Sequence, residues 1–191
     1  MRTLLKEVFH MKKVYLFLAY GFEEVEALTT VDLLRRGGIE AITVSVSTSN
    51  IVTGAHKIPV TADIKIDEIT LNEADAIVLP GGQPGVDNLM TCDTMKKIIQ
   101  SAYENNKLIC AICAAPMILG KMGLLEGRKA TCYPSCTGAL TGAEVSDDKV
   151  CVDGNIVTSQ GVGTAIDFAL EIIKILASEE ISNQVKESIL A

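Results

Sequence analysis

Hydrophobic and polar residues alternate along this chain in two distinct rhythms. Residues 14–19, 41–46, 76–79 and 108–112 are short apolar runs with almost no polar interruption, the pattern of strands buried on both faces. Between them lie stretches with helical spacing. Residues 24–36 place Val25, Leu28, Val31, Leu33 and Leu34 on a stripe, and Gly37-Gly38 ends it. Residues 93–105 read as an amphipathic helix, 115–121 as a short helix with Pro116 in its first turn, 165–176 as a strong helix and 179–189 as a more polar one. Residues 51–60 alternate around Gly54 and contain Pro59, which predicts a small hairpin or edge element. Residues 149–152 and 156–158 flank Asp153-Gly154-Asn155, a hairpin turn signal. Strands that alternate with helices predict an α/β domain built on a mostly parallel sheet covered on both faces. Ligands in such sheets bind beyond the carboxyl ends of the strands, which directs attention to the loops at 20–26, 80–86, 113–116 and 159–163.

Composition narrows the function classes. The 191 residues are 48% hydrophobic and 21% charged, ordinary values for a folded chain, and long enough for one domain with its own core. Residues 12–191 read as a single domain. Residues 1–11 read as a loosely attached extension, because Met11-Lys12-Lys13 resembles a second start. Aromatic residues are only 4%, with no Trp, so Ile, Val, Leu and Ala must fill the core. A net charge of −7 without basic clusters argues against a nucleic-acid partner. The longest apolar stretch, 108–120, contains Pro116 and is too short for the roughly 20 residues of a membrane span. The N-terminus lacks the pattern of a secretory signal, so the expected location is cytoplasmic, with the six cysteines mostly reduced.

The candidate chemistry centres on Cys113. It follows the strand at 108–112 and precedes a helix, at a sharp corner whose neighbours Ala111, Ala114 and Ala115 are small, as a nucleophile elbow requires. A thiol facing unpaired backbone N–H groups at a helix start is expected to favour thiolate. Cys110 completes a Cys-x-x-Cys spacing, but it falls in mid-strand, unlike a thioredoxin pair. A zinc site from Cys110, Cys113, Cys132 and Cys136 would pull two ligands out of a packed strand and its elbow. Gly81-Gly82 offers backbone N–H groups without Cβ obstruction, suited to an oxyanion hole beside a thiolate. Among Glu23, Glu24 and Glu26, helical spacing makes Glu26 the residue to be buried; a buried carboxyl takes up a proton and can then donate to the Cys113 sulfur. Histidine is scarce: only His10 and His56 occur, and neither sits near the elbow in sequence.

These residues resemble a known family. Gly21-x-Glu-Glu-x-Glu26, Arg35-Arg36-Gly37-Gly38, Val78-Leu-Pro-Gly-Gly82, Ala111-Ile-Cys-Ala-Ala-Pro116 and Thr158-Ser-Gln-Gly-x-Gly-Thr164 are similar to motifs of the DJ-1/ThiJ/PfpI superfamily, nearest its bacterial DJ-1-like (YajL-type) branch, from about residue 12 to the C-terminus. The resemblance implies a flavodoxin-like three-layer sandwich and a homodimer. It implies Cys113 as oxidisable nucleophile, Glu26 as its hydrogen-bonding partner, and the Gly82 and Ala114 N–H groups as oxyanion hole, with Gly81, Tyr133 and His56 lining the site. It also implies glyoxalase or deglycase chemistry on small reactive carbonyls such as methylglyoxal, with no cofactor and no metal. Other members are described as redox-regulated chaperones or oxidative-stress sensors, and some carry a label linking them to thiazole monophosphate biosynthesis. The chain departs from the pattern in three places. Tyr133-Pro134 stands where DJ-1 has a His before Pro, which weakens acid/base chemistry because Tyr is a poor base near neutral pH. His56 replaces an Arg that reaches across the dimer. Ala114 follows Cys113 where PfpI-type proteases carry His, which argues against peptidase activity.

Overall fold

A computed structural model describes residues 11–191; the extension expected at the N-terminus lies almost wholly outside them. The apolar runs form the predicted strands: β1 (Lys13–Leu18), β2 (Glu40–Ser45), β6 (Ala76–Leu79), β7 (Leu108–Ile112) and β11 (Ile156–Ser159). The hairpin at Gly54 is β3 (Ile51–Thr53) with β4 (Pro59–Thr61), and a short β5 (Ile64–Lys65) follows it. Beyond β7 come β8 (Lys129–Ala130), β9 (Glu144–Val145) and β10 (Val150–Asp153), the last pairing antiparallel with β11. The helices are α1 (Glu24–Arg36), α2 (Gly85–Thr91), α3 (Asp93–Glu104), α4 (Pro116–Lys121), α5 (Ala165–Leu176) and α6 (Glu179–Ser188).

The seven-stranded sheet has the order β10-β11-β7-β6-β1-β2-β5 and is parallel except for β10. Its five principal strands taken in chain order give 2-1-3-4-5, the flavodoxin-like arrangement. Two cores sandwich it. Val14, Leu16 and Leu18 point from β1 toward α1 and α5, meeting Val31, Leu34, Phe168 and Ile172. Tyr15 and Phe17 point the other way, toward Met95, Ile99, Ile118 and Leu119 of α3 and α4. Alternate side chains of one strand thus fill opposite layers, which is why β1 shows no polar interruption.

Two details differ from the pattern reading. Val25 and Leu28, placed on the apolar stripe of α1, are 47% and 39% exposed, while Ala27, Thr30, Val31 and Leu34 are buried. The helix is apolar on more than one face, and the sheet covers only one. Glu24 joins Glu26 in being buried. Its Oε1 accepts from the His56 N–H at 2.8 Å and its Oε2 lies 2.9 Å from His56 Nδ1. Burial works to raise the Glu24 carboxyl, yet the hydrogen bonds from the His56 side chain and from the His56 and Ile58 backbone hold it below the usual carboxylate range. Glu24 therefore clamps the β3–β4 hairpin to the start of α1.

Candidate functional site

The chain order places three loops at the point where strand order reverses. The loop after β1 delivers Glu26 on the first turn of α1, the loop after β6 delivers Gly81 and Gly82, and the turn after β7 delivers Cys113. This is the carboxyl edge of the sheet at its switch point, where open α/β sheets bind ligands.

Cys113 is held at φ 64°, a left-handed conformation uncommon for a residue with a side chain and recurrent at functional corners. Its N–H donates to the Ser159 carbonyl at 2.9 Å and its carbonyl accepts from the Tyr133 N–H at 2.8 Å. The main chain is thus pinned between β11 and the Tyr133 segment while the side chain turns out of the sheet. The elbow predicted from small neighbours is present, although α4 begins at Pro116, so that residues 113–115 form the turn itself.

The Gly82 and Ala114 N–H groups both point at the Cys113 sulfur. Gly81 leaves the room for it: a Cβ there would lie 2.5 Å from Cys113 Cβ, 2.7 Å from Glu26 Oε2 and 3.0 Å from Sγ. Gly82 adopts φ 90°, the left-handed region that favours glycine, and a Cβ would collide with the Glu23 N–H and the Gly21 carbonyl. Gly81→Ala is expected to separate Cys113 from Glu26, cost roughly 1–3 kcal/mol of stability by overpacking, and remove Cys113 reactivity. Alkylation of Cys113 at the wild-type rate in this variant would show that the close approach is unnecessary.

Glu26 is fully buried, as its spacing predicts. Its Oε2 accepts from the Gly81 N–H at 2.8 Å, while Oε1 has no hydrogen-bond partner among the described residues; the carboxyl and the Cys113 sulfur both border on Gly81. Burial raises the carboxyl to about 7, against the lowering effect of the Gly81 N–H and of Cys113 itself. The helix-start N–H groups that favour thiolate are opposed by the surroundings of the sulfur. Burial, followed by the charge of Glu26, pushes the Cys113 thiol up to about 12, outweighing the Ala114 and Gly82 N–H groups. The raising effect of Glu26 exists only while Glu26 is ionised. A proton on Glu26 removes it and supplies a donor to the sulfur, so ionisation of the thiol is conditional on its neighbour, and the pair titrates as a unit.

Two cavities meet at Cys113, divided by the half-exposed Tyr133 side chain. One, of about 480 Å³, is walled by Gln83, Ala114, Met117, Cys136 and Ala139; the other, of about 520 Å³, by Glu23, Glu26, Gln160, Gly161 and Thr164. Both also touch Gly82. His56, expected to line the site, is not on either wall. Its bond to Glu24 holds it behind Glu23, whose Oε1 is 3.6 Å from His56 Nδ1. Met117, Cys136 and Gln160 are wall residues that the sequence reading did not assign; only the Gly-rich loop at 159–163 had been marked. Glu23, Glu24 and His56 lie within 4.8 Å of one another and are the only potential metal-binding cluster among the described residues. The hydrogen bonds of Glu24 to the hairpin already occupy both of its carboxylate oxygens. All six cysteines are free of disulfide partners in this structure.

Comparison with known proteins gives the same picture from outside the molecule. Protein DJ-1 homolog A of Arabidopsis thaliana is 39% identical over 182 residues, covering 94% of this chain but 46% of its own length. The chain thus spans about half the length of that relative. A Caenorhabditis elegans protein named glutathione-independent glyoxalase DJR-1.2 is 33% identical over 165 residues, covering 84% of this chain and 86% of its own. The crystal structure of a cysteine-to-alanine variant of a DJ-1 superfamily protein from Salmonella typhimurium superposes with a TM-score of 0.90 at 36% identity, covering 94% of this chain and 98% of the other. The DJ-1/PfpI family model matches residues 12–175, the same stretch that carries the elbow, the glycine pair and the buried glutamate, and the chain belongs to that family.

Proposed function

We propose that this protein converts small 2-oxoaldehydes such as methylglyoxal into 2-hydroxy acids, using Cys113 as nucleophile and Glu26 as the proton carrier. The observation that carries this reading is the fully buried Glu26 carboxyl, with one oxygen held by the Gly81 N–H and the group set beside the Cys113 sulfur across Gly81, where even a methyl group would not fit. The Cys113 sulfur adds to the aldehyde carbon, forming a C–S bond and a hemithioacetal. The Gly82 and Ala114 N–H groups receive the oxyanion. Glu26 then takes the proton from that carbon and returns it to the neighbouring carbonyl carbon through an enediol, leaving a thioester. Water hydrolyses the thioester, releasing the 2-hydroxy acid and regenerating the thiol. The sequence is an internal redox shift with no net oxidation; Cys113, Glu26 and the two backbone N–H groups carry the addition and the proton transfer, and water completes the hydrolysis. The named activity of the C. elegans relative supports the same chemistry.

Val25 and Leu28 of α1 and Ile51 and Ile58 of the hairpin are exposed apolar side chains, on two elements that the Glu24–His56 bonds hold together. We assign these side chains to an interface with a second copy of the chain, as the common dimeric state of the family suggests.

The test is stoichiometric. Methylglyoxal loss should be matched mole for mole by lactate, with catalyst recovered unmodified. Loss accompanied by a stable protein adduct and no lactate would leave Cys113 as a scavenging or sensing thiol instead of a catalyst. Tyr133, in the place of a stronger base, favours that second reading.

A further inference from the structure

The larger question raised by the walls of the site is why a second thiol stands there. Cys136 lines the same cavity as Cys113, and both sulfur-bearing residues pack against the same core. The backbone fixes this proximity. Tyr133 donates its N–H to the Cys113 carbonyl at 2.8 Å, and the Tyr133 carbonyl in turn accepts from the Cys136 N–H at 2.8 Å. Cys136 thus hangs one short turn from the elbow, on the 3₁₀ segment Pro134–Ala139, which has no buried residue.

Cys110, Cys151 and Cys92 are poorly placed for this, and Cys132 is the competing neighbour, its thiol pushed up by burial and then by Cys136. Cys110 is fully buried in β7, and Cys151 is buried in β10. Cys92 joins α2 to α3, and Cys132 is buried with its S–H donating to the Tyr133 carbonyl at 3.3 Å. Among the described cysteines, Cys113 and Cys136 alone share the walls of this cavity.

We propose that Cys136 is a resolving thiol for Cys113, converting the peroxide-oxidised nucleophile into a reversible intrachain disulfide. This rests on the reading of Cys113 as a reactive nucleophile. In the first step the Cys113 thiolate attacks one oxygen of a hydroperoxide; the O–O bond breaks, the sulfur becomes a sulfenic acid, and water or an alcohol leaves. In the second, the Cys136 sulfur attacks the sulfenic sulfur, the S–O bond breaks, and water departs as the disulfide forms. A disulfide needs its two Cα atoms within roughly 7 Å, so the exposed 134–139 turn must bring Cys136 within that range of Cys113 for the bond to form. The consequence is protection: a disulfide is returned to two thiols by a dithiol reductant, whereas the sulfinic acid reached by a second oxidation is not. Cys136 is only partly buried, at the edge of the core, and serine is close to it in size.

The test treats the wild type and Cys136→Ser with a small excess of hydrogen peroxide, followed by alkylation, intact mass and peptide mapping without reductant. The wild type should become lighter by two hydrogens, lose two alkylatable thiols and yield a linked peptide joining Cys113 to Cys136. The variant should instead gain two oxygens on Cys113. Wild type that carries the two-oxygen adduct on Cys113 while Cys136 remains alkylatable would overturn the resolving role and leave the nucleophile intact. A bond between Cys132 and Cys136 would overturn it equally. A Cys113 that stays unmodified in the variant would remove the nucleophile reading itself, and this proposal with it.

Discussion

Cys113→Ser is expected to abolish conversion of methylglyoxal to lactate, lowering turnover on the order of 10⁴-fold, the scale on which removal of a covalent nucleophile acts. The substitution is nearly isosteric, and the backbone at φ 64° is held by its bonds to Ser159 and Tyr133, so the fold should persist with stability within about 1 kcal/mol of wild type. What changes is the atom. A serine hydroxyl holds its proton far more tightly than a thiol, and Glu26, raised only to about 7, is too weak a base to take it. Unchanged lactate formation in the Ser variant would refute the assignment of the nucleophile.

Glu26→Gln should uncouple activity from stability in opposite directions. Turnover should fall by roughly 10²–10⁴, the contribution of a positioned acid/base, because an amide cannot carry the proton between carbons. Stability should rise. In the folded state burial lifts the Glu26 carboxyl from 4.5 to about 7, so the unfolded chain ionises first as pH increases. The folded state therefore loses stability between those two values and does not recover it above them. The shift corresponds to roughly 3 kcal/mol. The glutamine side chain still accepts from the Gly81 N–H and carries no charge into the core. Near pH 8 the variant should melt roughly 5–10 °C higher than wild type, while near pH 4 the two should melt together. A variant less stable than wild type at pH 8 would mean that the carboxylate is well accommodated and that burial does not raise it.

Much of this was readable before any coordinates. The boundaries of α1, β6, β7 and α5 follow from uninterrupted apolar runs and from glycine stops, because burial on both faces of a parallel sheet leaves little room for polar residues. The elbow at Cys113 was legible from its three alanines, and the burial of Glu26 from helical spacing. Three kinds of information were not local. Nothing in the spacing of α1 distinguishes Val25 and Leu28 from Val31 and Leu34; which face meets the sheet is decided by α5, more than a hundred residues away. The helix α2 follows Pro80-Gly-Gly-Gln-Pro84, whose composition reads as loop throughout. Cys136 looked like one ligand of a weak zinc pattern, and only the bond from Tyr133 to the elbow brings it to the cavity wall. The balance of effects on Cys113 was not legible for a related reason. The helix-start N–H groups are visible in sequence, but the desolvation that opposes them depends on everything packed around the sulfur.

The central claim is that Cys113 and Glu26 share a proton, and the most direct measurement is the pH dependence of Cys113 alkylation by iodoacetamide under pseudo-first-order conditions. For the wild type the rate should climb through a step near pH 7, where the pair loses its first proton, level off, and climb again only as the second leaves toward about 12. In Glu26→Gln the step near 7 should vanish, and the remaining thiol should titrate once, below the wild-type upper limb, because the charge that raised it is gone. A wild-type profile with a single step, unchanged by Glu26→Gln, would contradict the shared proton.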